Sequence, residues 1–238
     1  MDTKPVLLIA AGGTGGHMFP AQALAWEFQE LGWNVVLVTD KRGEKFSKTF
    51  PPKSIKFIQS SATLSFKNPL RMPKALCLIL VSILQASWVF IKIRPKVVIG
   101  FGGYPTVAPM LAAKFFFIPS IIHEQNAILG RGNKLLSKIT NKLALSFVKT
   151  KKIENIKNII FTGNPVRTEF EEIGNNYLYQ QTSKKSFTIL IYGGSLGASY
   201  FSKELTSVMC SLPKEIKKNI KIIQQVRIED LENVRNNY

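Results

Sequence analysis

The sequence predicts an α/β protein built on a doubly wound, mostly parallel sheet. Three observations carry this. Short apolar runs alternate with helix-like segments along most of the 238 residues, several of these runs end in glycine-rich turns, and the order strand, glycine loop, helix starts afresh near residue 187. Strands separated by helices form βα units, whose strands lie parallel with helices on both faces.

The elements follow in order. Val6–Ala10 is apolar and ends in glycines, so it reads as a buried parallel strand. Pro20–Leu31 reads as a helix, with Pro at its start and Gly32 just past its end. Asn34–Thr39 (NVVLVT) is the second strand and Ile55–Gln59 a weaker third. A long apolar helix at Ala75–Ile91 precedes the strand Val97–Phe101, which runs into Gly102–Gly103. Ala108–Phe117 is helical, Ser120–His123 a strand, Leu135–Lys142 helical, Leu143–Phe147 extended and Ile159–Thr162 a short strand. Asn164–Pro165 then breaks the chain, and polar Glu169–Lys185 reads as a linker. Phe187–Tyr192 is a new strand leading into Gly193–Ala198, followed by a helix at Ser199–Leu212 and a strand at Ile220–Gln225.

The expected organisation is therefore a Rossmann-like domain at residues 1–164, a linker at 165–186, and the start of a second such domain at 187–238. A doubly wound domain needs about 100 residues, so the second is expected to be incomplete as written. The tail Arg227–Tyr238 (RIEDLENVRNNY) reads as out of frame or degenerate.

The chain is 45% hydrophobic, enough to bury a core. Its net charge of +17 is unevenly placed. Residues 1–164 hold 22 Lys/Arg against 7 Asp/Glu, a net +15, and residues 165–238 hold 10 against 8. The asymmetry points to an anionic partner of the first half: nucleic acid, acidic lipid or a phosphorylated substrate. No basic–aromatic interleaving of a nucleic-acid module is found, which excludes the first of these. Cys77 and Cys210 lack metal-ligand or CxxC spacing and read as buried thiols in a reducing compartment. The N-terminus, MDTKPVLLIAAGG, does not read as a signal peptide. Ala75–Ile91 carries no formal charge over seventeen residues, with Ser82, Gln85 and Ser87 interrupting it. That is short of the roughly 20 needed to span a bilayer. A helix buried on all sides and a helix with a membrane-surface face both fit.

In an open α/β sheet, ligands bind beyond the carboxyl ends of the strands. Five stretches fall there: Gly12–His17, Gly102–Tyr104, His123–Asn126, Gly163–Arg167 and Gly193–Ala198. Glycines let main-chain amides approach a phosphate, and the following helix N-terminus favours negative charge. The first loop is no P-loop, since no GK[ST] follows, and Met18 stands where a dinucleotide fingerprint has its third glycine. Asp40 ends the second strand, where a dinucleotide fold would hold ribose. His17 and His123 are the chain's two histidines, and both fall at predicted strand ends. His17 is a candidate base, the alternative being a loop cap. His123–Glu124–Gln125–Asn126 sets four hydrogen-bonding side chains directly after an apolar strand, which a packed core does not need. Glu124 is a candidate general base. Arg167 could hold a phosphate or sugar oxygen, or stand exposed at a hinge.

The stretches AAGGTGGHMFPA, VVIGFGGYPT, IIHEQNAILG, GNPVRTEF and IYGGSLGA, in this order and spacing, resemble the MurG family of bacterial N-acetylglucosaminyltransferases, from residue 6 to about 212. The resemblance implies a GT-B fold of two Rossmann-like domains. It implies inverting transfer of GlcNAc from UDP-GlcNAc to the C4 hydroxyl of MurNAc in lipid I (undecaprenyl-pyrophosphoryl-MurNAc-pentapeptide), giving lipid II for peptidoglycan. It implies no cofactor and no DxD-bound metal, and a peripheral position on the cytoplasmic face of the inner membrane. Positions matching Thr14, Gly15, Gly16, Asn126, Arg167 and Ser195 contact the donor. His17, Tyr104 and Glu124 match polar positions on the acceptor side, with the base left open among them. The acceptor diphosphate suits the glycine loops, the +15 first half suits an anionic leaflet, and Ala75–Ile91 with Phe115–Phe117 would supply an apolar patch. Two departures stand out. Leu196 replaces a usual glutamine, and most of the family's uridine pocket would lie beyond Tyr238. The chain as written is therefore expected to bind UDP-GlcNAc weakly or not at all and to have little transferase activity. The competing expectation is a non-catalytic membrane- and acceptor-binding fragment or partner subunit.

Overall fold

The computed structural model describes residues 4–59, 72–176, 187–193 and 199–238. The chain divides into two compact units, Met1–Asn176 and Tyr177–Tyr238.

In the first unit, described elements run β1 (Val6–Ala10), α1 (Gly15–Glu30), β2 (Asn34–Thr39), α2 (Lys41–Glu44), β3 (Ile55–Ile58), α3 (Met72–Ile93) and β4 (Val97–Gly100). They continue with α4 (Val107–Phe115), β5 (Ser120–Glu124), α5 (Arg131–Leu136), β6 (Lys142–Leu145), β7 (Ile159–Phe161) and α6 (Thr168–Asn176). The described strands form one seven-stranded sheet in the order β3-β2-β1-β4-β5-β6-β7, parallel throughout. Strand order reverses between β1 and β4, where Leu7–Ala10 pair with Val97–Gly100. That is the switch point at which such sheets open a crevice for ligands.

The near-continuous apolar strands are explained by burial on both faces. Leu7, Ile9 and Ala11 alternate with Leu8 and Ala10. The first set packs with Met18, Ala21 and Ala25 of α1, and the second with Val89 and Phe90 of α3 and Met110 of α4. Each fully buried leucine contributes about 1.5–3 kcal/mol.

Several boundaries differ from those expected. Helix α1 begins at Gly15, not Pro20, so Gly15, Gly16 and His17 wind into its first turn behind an extended Thr14. Pro20 therefore lies inside the helix, where it has no N–H to donate to the Gly16 carbonyl. Helix α5 ends at Leu136, and the residues expected to continue it form a turn into β6. α6 occupies the first part of the expected linker. Helix α3 is not buried on all sides. Leu80, Val81, Leu84, Trp88 and Ile91 lie on an exposed stripe, while Ser82, Ala86, Val89 and Phe90 face the core. Cys77 shares the outer stripe and is exposed, not buried. Phe116 stacks on Phe90, and its neighbours Phe115 and Phe117 project outward.

The described part of the second unit comprises β8 (Phe187–Ile191), α7 (Thr206–Ser211), α8 (Lys214–Lys217), β9 (Ile220–Gln224) and α9 (Leu231–Asn237). β8 and β9 pair in parallel, Phe187 opposite Ile220 through Ile191 opposite Gln224. A π-helical turn at Phe201–Leu205 leads into α7. The tail is not degenerate in structure. Val234 is buried, Tyr238 Oη donates to Gln224 Oε1 at 2.7 Å, and Arg227 pairs with Asp230 and Glu229. Cys210 is half-buried, and its thiol donates to the Asn237 carbonyl.

Candidate active site

Four of the five stretches leave the sheet at the carboxyl ends of β1, β4, β5 and β7. Three of them interlock. Gly103, at φ +80°, lies against the first loop, so close that a Cβ there would stand 2.9 Å from the Gly12 carbonyl oxygen. A Cβ on Gly102 would lie 3.2 Å from His17 Cε1 and 3.2 Å from Asn133 Oδ1. Thr106 ties this second loop to the first strand, its hydroxyl hydrogen lying between the Gly102 carbonyl at 2.7 Å and the Ala10 carbonyl at 3.2 Å.

A chain of hydrogen bonds joins the two histidines, and one carbonyl fixes its direction. Gln125 Nε2 donates to the His123 main-chain oxygen at 3.2 Å, which can only accept. The same Nε2 lies 3.0 Å from His123 Nδ1, which must then accept. His123 therefore carries its proton on Nε2 and donates it to the Gly163 carbonyl at 3.0 Å. At the other end, Gln125 Oε1 accepts from His17 Nδ1 at 3.1 Å. In the neutral His17 ring this leaves Nε2 with its lone pair. Burial pushes the His123 pKa below its ordinary 6.5, opposed in part by the Gly163 carbonyl and the Glu124 charge. His123 is thus held neutral, as the hydrogen-bond order requires.

Glu124 is only 1% exposed. Its Oε1 accepts from Asn126 N (3.0 Å) and Asn126 Nδ2 (2.8 Å), and its Oε2 from Gly130 N (2.9 Å) and Asn133 Nδ2 (2.9 Å). Four donors occupy both oxygens. The geometry is that of a brace which orients Asn126, rather than of a base open to substrate. Tyr104 follows Gly103 directly and is partly exposed, as are Thr14 and Gly16 on the rim of α1. Asp40 is not open to a ribose, since its carboxylate accepts from Gly43 N and from Arg42.

Residues 7–145 match the model of the glycosyltransferase family 28 N-terminal domain. The chain belongs to glycosyltransferase family 28. It is 40% identical over 232 residues to the UDP-N-acetylglucosamine--N-acetylmuramyl-(pentapeptide) pyrophosphoryl-undecaprenol N-acetylglucosamine transferase of Rhizobium rhizogenes, an alignment covering 98% of this chain and 62% of that protein. The chain thus spans about 62% of the length of the curated relative it matches. The crystal structure of Acinetobacter baumannii MurG superposes with a TM-score of 0.70 at 27% identity, over 99% of this chain and 64% of that one. The UDP-GlcNAc 2-epimerase of Neisseria meningitidis, at 16% identity and a TM-score of 0.58 over 97% of this chain and 74% of that one, shares the fold alone. The expected α/β fold of GT-B type is borne out.

Within the family 28 domain, the remaining expected residues divide. Asn126 sits beside Gln125 and Tyr104 beside Gly103, so both belong to the loop cluster that holds Thr14, Gly15, Gly16 and His17. Arg167 stands apart from the histidine chain. Its guanidinium lies over the rings of Phe19 and Phe170, 5.0 and 4.5 Å from the ring centres. Ser195 and Leu196 lie outside the described residues. Among the described residues no three His, Cys, Asp or Glu side chains are grouped to hold a metal ion, and no helix is long and apolar enough to cross a membrane. Asn133 and Thr106 were not legible as site residues. Nothing in their local sequence signals that Asn133 meets Gly102 or that Thr106 meets Ala10, 96 positions away.

Proposed function

We propose that this family 28 chain serves GlcNAc transfer from UDP-GlcNAc to the C4 hydroxyl of MurNAc in lipid I, giving lipid II. The C4 oxygen attacks the anomeric carbon from the face opposite the leaving group. His17 Nε2 takes the hydroxyl proton, the bond to UDP breaks, and the anomeric centre inverts. Gln125 and His123 keep His17 in the tautomer this requires. Tyr104 contacts the acceptor, and Glu124 acts through Asn126 as a positioning residue. Thr14, Gly15, Gly16, Asn126, Arg167 and Ser195 contact the donor. The acceptor diphosphate is received by the main-chain amides of the glycine loops and the N-terminus of α1, where negative charge is favoured.

The chain works at an anionic membrane surface as a peripheral protein on the cytoplasmic face. Support comes from the outward apolar stripe of α3, with Leu84 70% and Trp88 55% exposed, and from Lys92 stacked 4.9 Å over the Trp88 ring. The net +15 of residues 1–164 has the matching sign.

The observation that carries the reading is the hydrogen bond of His17 Nδ1 to Gln125 Oε1 at the meeting of two glycine loops in a family 28 domain. Transfer of radiolabelled GlcNAc to lipid I in vesicles tests it. H17N is expected to lose about 10²- to 10⁴-fold in rate with an unchanged melting temperature. An H17N rate equal to the parent's overturns it. A second reading, acceptor and membrane binding without completed transfer, is favoured by the placement of both histidines, the interlocking loops and the apolar stripe in the first unit. Lipid I binding with no transfer selects it.

A further inference from the structure

The Asp40–Arg42 pair is absorbed neither by the histidine chain nor by the apolar face. Asp40 ends β2 and is buried, its side chain 4% exposed. Its Oδ1 accepts the Gly43 amide at 2.9 Å. Its Oδ2 accepts Arg42 Nε at 3.0 Å and Nη2 at 2.9 Å. The pair lies directly on the first glycine loop. A Cβ on Gly12 would stand 3.0 Å from Asp40 Oδ1, and a Cβ on Gly13 would stand 3.9 Å from Arg42 Nη2. The guanidinium is therefore fixed on one edge and packed against Gly13, while its side chain stays 57% exposed. Among the described residues, Nη1 has no partner.

An arginine on a short exposed turn ordinarily loses rotamer freedom when it binds, and that cost weakens binding. Here the buried carboxylate has already ordered it. Asp40 offsets part of the charge, but it takes only the Nε and Nη2 edge and leaves the Nη1 donors for a ligand. A planar donor set held beside an amide-rich loop matches the oxygens of a diphosphate, which a guanidinium takes two at a time.

We infer that Arg42, positioned by Asp40, is a diphosphate-binding residue of the first glycine loop and recognises the prenyl diphosphate of the acceptor, not the diphosphate of UDP. The inference rests on the acceptor reading of these loops given above. Arg42 is the binding group, and Asp40 is a positioning residue.

Isothermal titration of this chain with geranyl diphosphate and, separately, with UDP tests it. R42A is expected to weaken geranyl diphosphate binding about tenfold, to flatten its dependence on salt and to leave UDP binding unchanged. D40N keeps the arginine and an acceptor for the Gly43 amide but turns an N–H toward the guanidinium. It is expected to weaken the same ligand several-fold without flattening the salt dependence. R42K keeps the charge but not the fork, and should fall between R42A and the parent. Thermal melts show which variants fold, and R42K and D40N carry the test if R42A does not. Equal geranyl diphosphate affinity in the parent and the folded variants overturns the inference while leaving the acceptor reading intact. A loss confined to UDP overturns the assignment to the acceptor. A parent chain that does not bind geranyl diphosphate defeats the acceptor reading itself, and the role of Arg42 falls with it.

Discussion

Replacing Gly103 by alanine adds one methyl group at the contact between the first two loops. Two costs follow. The backbone is at φ +80°, a left-handed region that costs a side-chain-bearing residue about 1–2 kcal/mol. The new carbon would also stand 2.9 Å from the Gly12 carbonyl oxygen. That neighbour is backbone and cannot swing aside as a side-chain end would, so relief needs a shift of the loop worth about 1–3 kcal/mol. The sum is about 2–5 kcal/mol, a large part of the roughly 5–15 kcal/mol that holds a domain folded. At about 2–4 °C per kcal/mol for a chain of this size, G103A should melt roughly 4–20 °C below the parent by circular dichroism. Gly132 in α5 is the control, because a Cβ there meets nothing within 4 Å and its φ is not positive. G132A should melt at or slightly above the parent temperature, since alanine favours a helix by up to about 1 kcal/mol over glycine. A G103A melt within about 2 °C of the parent would refute the interlocked-loop account.

Three further outcomes follow from the geometry. His123 has a lowered pKa in the fold, so between that value and the unfolded 6.5 the unfolded chain binds more protons than the native one. Stability should be full above about pH 7 and fall as pH drops below 6.5. Urea midpoints between pH 5 and 8 measure this, and H123Q should flatten the acid side of the curve. E124Q puts an N–H against two of the four donors on Glu124, so about 2–4 kcal/mol of stability should be lost, whereas a loss of transfer rate in E124Q at parental stability would restore Glu124 as a base. L80E/L84E, at two exposed positions, should keep the parent melting temperature and lose at least tenfold in sedimentation with phosphatidylglycerol vesicles. Unchanged sedimentation would remove the membrane role of α3.

The strands were legible because a parallel strand buried on both faces needs an unbroken apolar run, and Val6–Ala10 and Asn34–Thr39 have no other use. Glycine loops were legible because their composition conflicts with both neighbouring elements. The start of α1 was not, since glycine's poor helix propensity hid the fact that Gly15 and Gly16 supply its first turn. Pro20, taken as a start signal, is tolerated one turn further in. The outer stripe of α3 was ambiguous because a helix apolar all round looks the same whether core or bilayer covers its second face. In the site, residue types could be read but not their connections. His17 and Gln125 meet across 108 positions. The four donors on Glu124, which turn a candidate base into a brace, depend on Asn133 lying in a helix placed several residues too late.

The carbonyl that receives the His123 proton belongs to Gly163, 40 residues downstream, beyond the end of β7. On a ribosome adding about 5–20 residues per second, the nascent chain presents both histidines seconds before the oxygen that receives this proton exists. Until β7 docks at the sheet edge, the His123 main-chain oxygen already holds the Gln125 amide and with it the tautomer, but the Nε2 proton lacks its Gly163 acceptor. A remnant cut anywhere before Gly163 therefore keeps the glycine loops and the order of the histidine chain, but leaves the buried His123 N–H at its outer end unmatched.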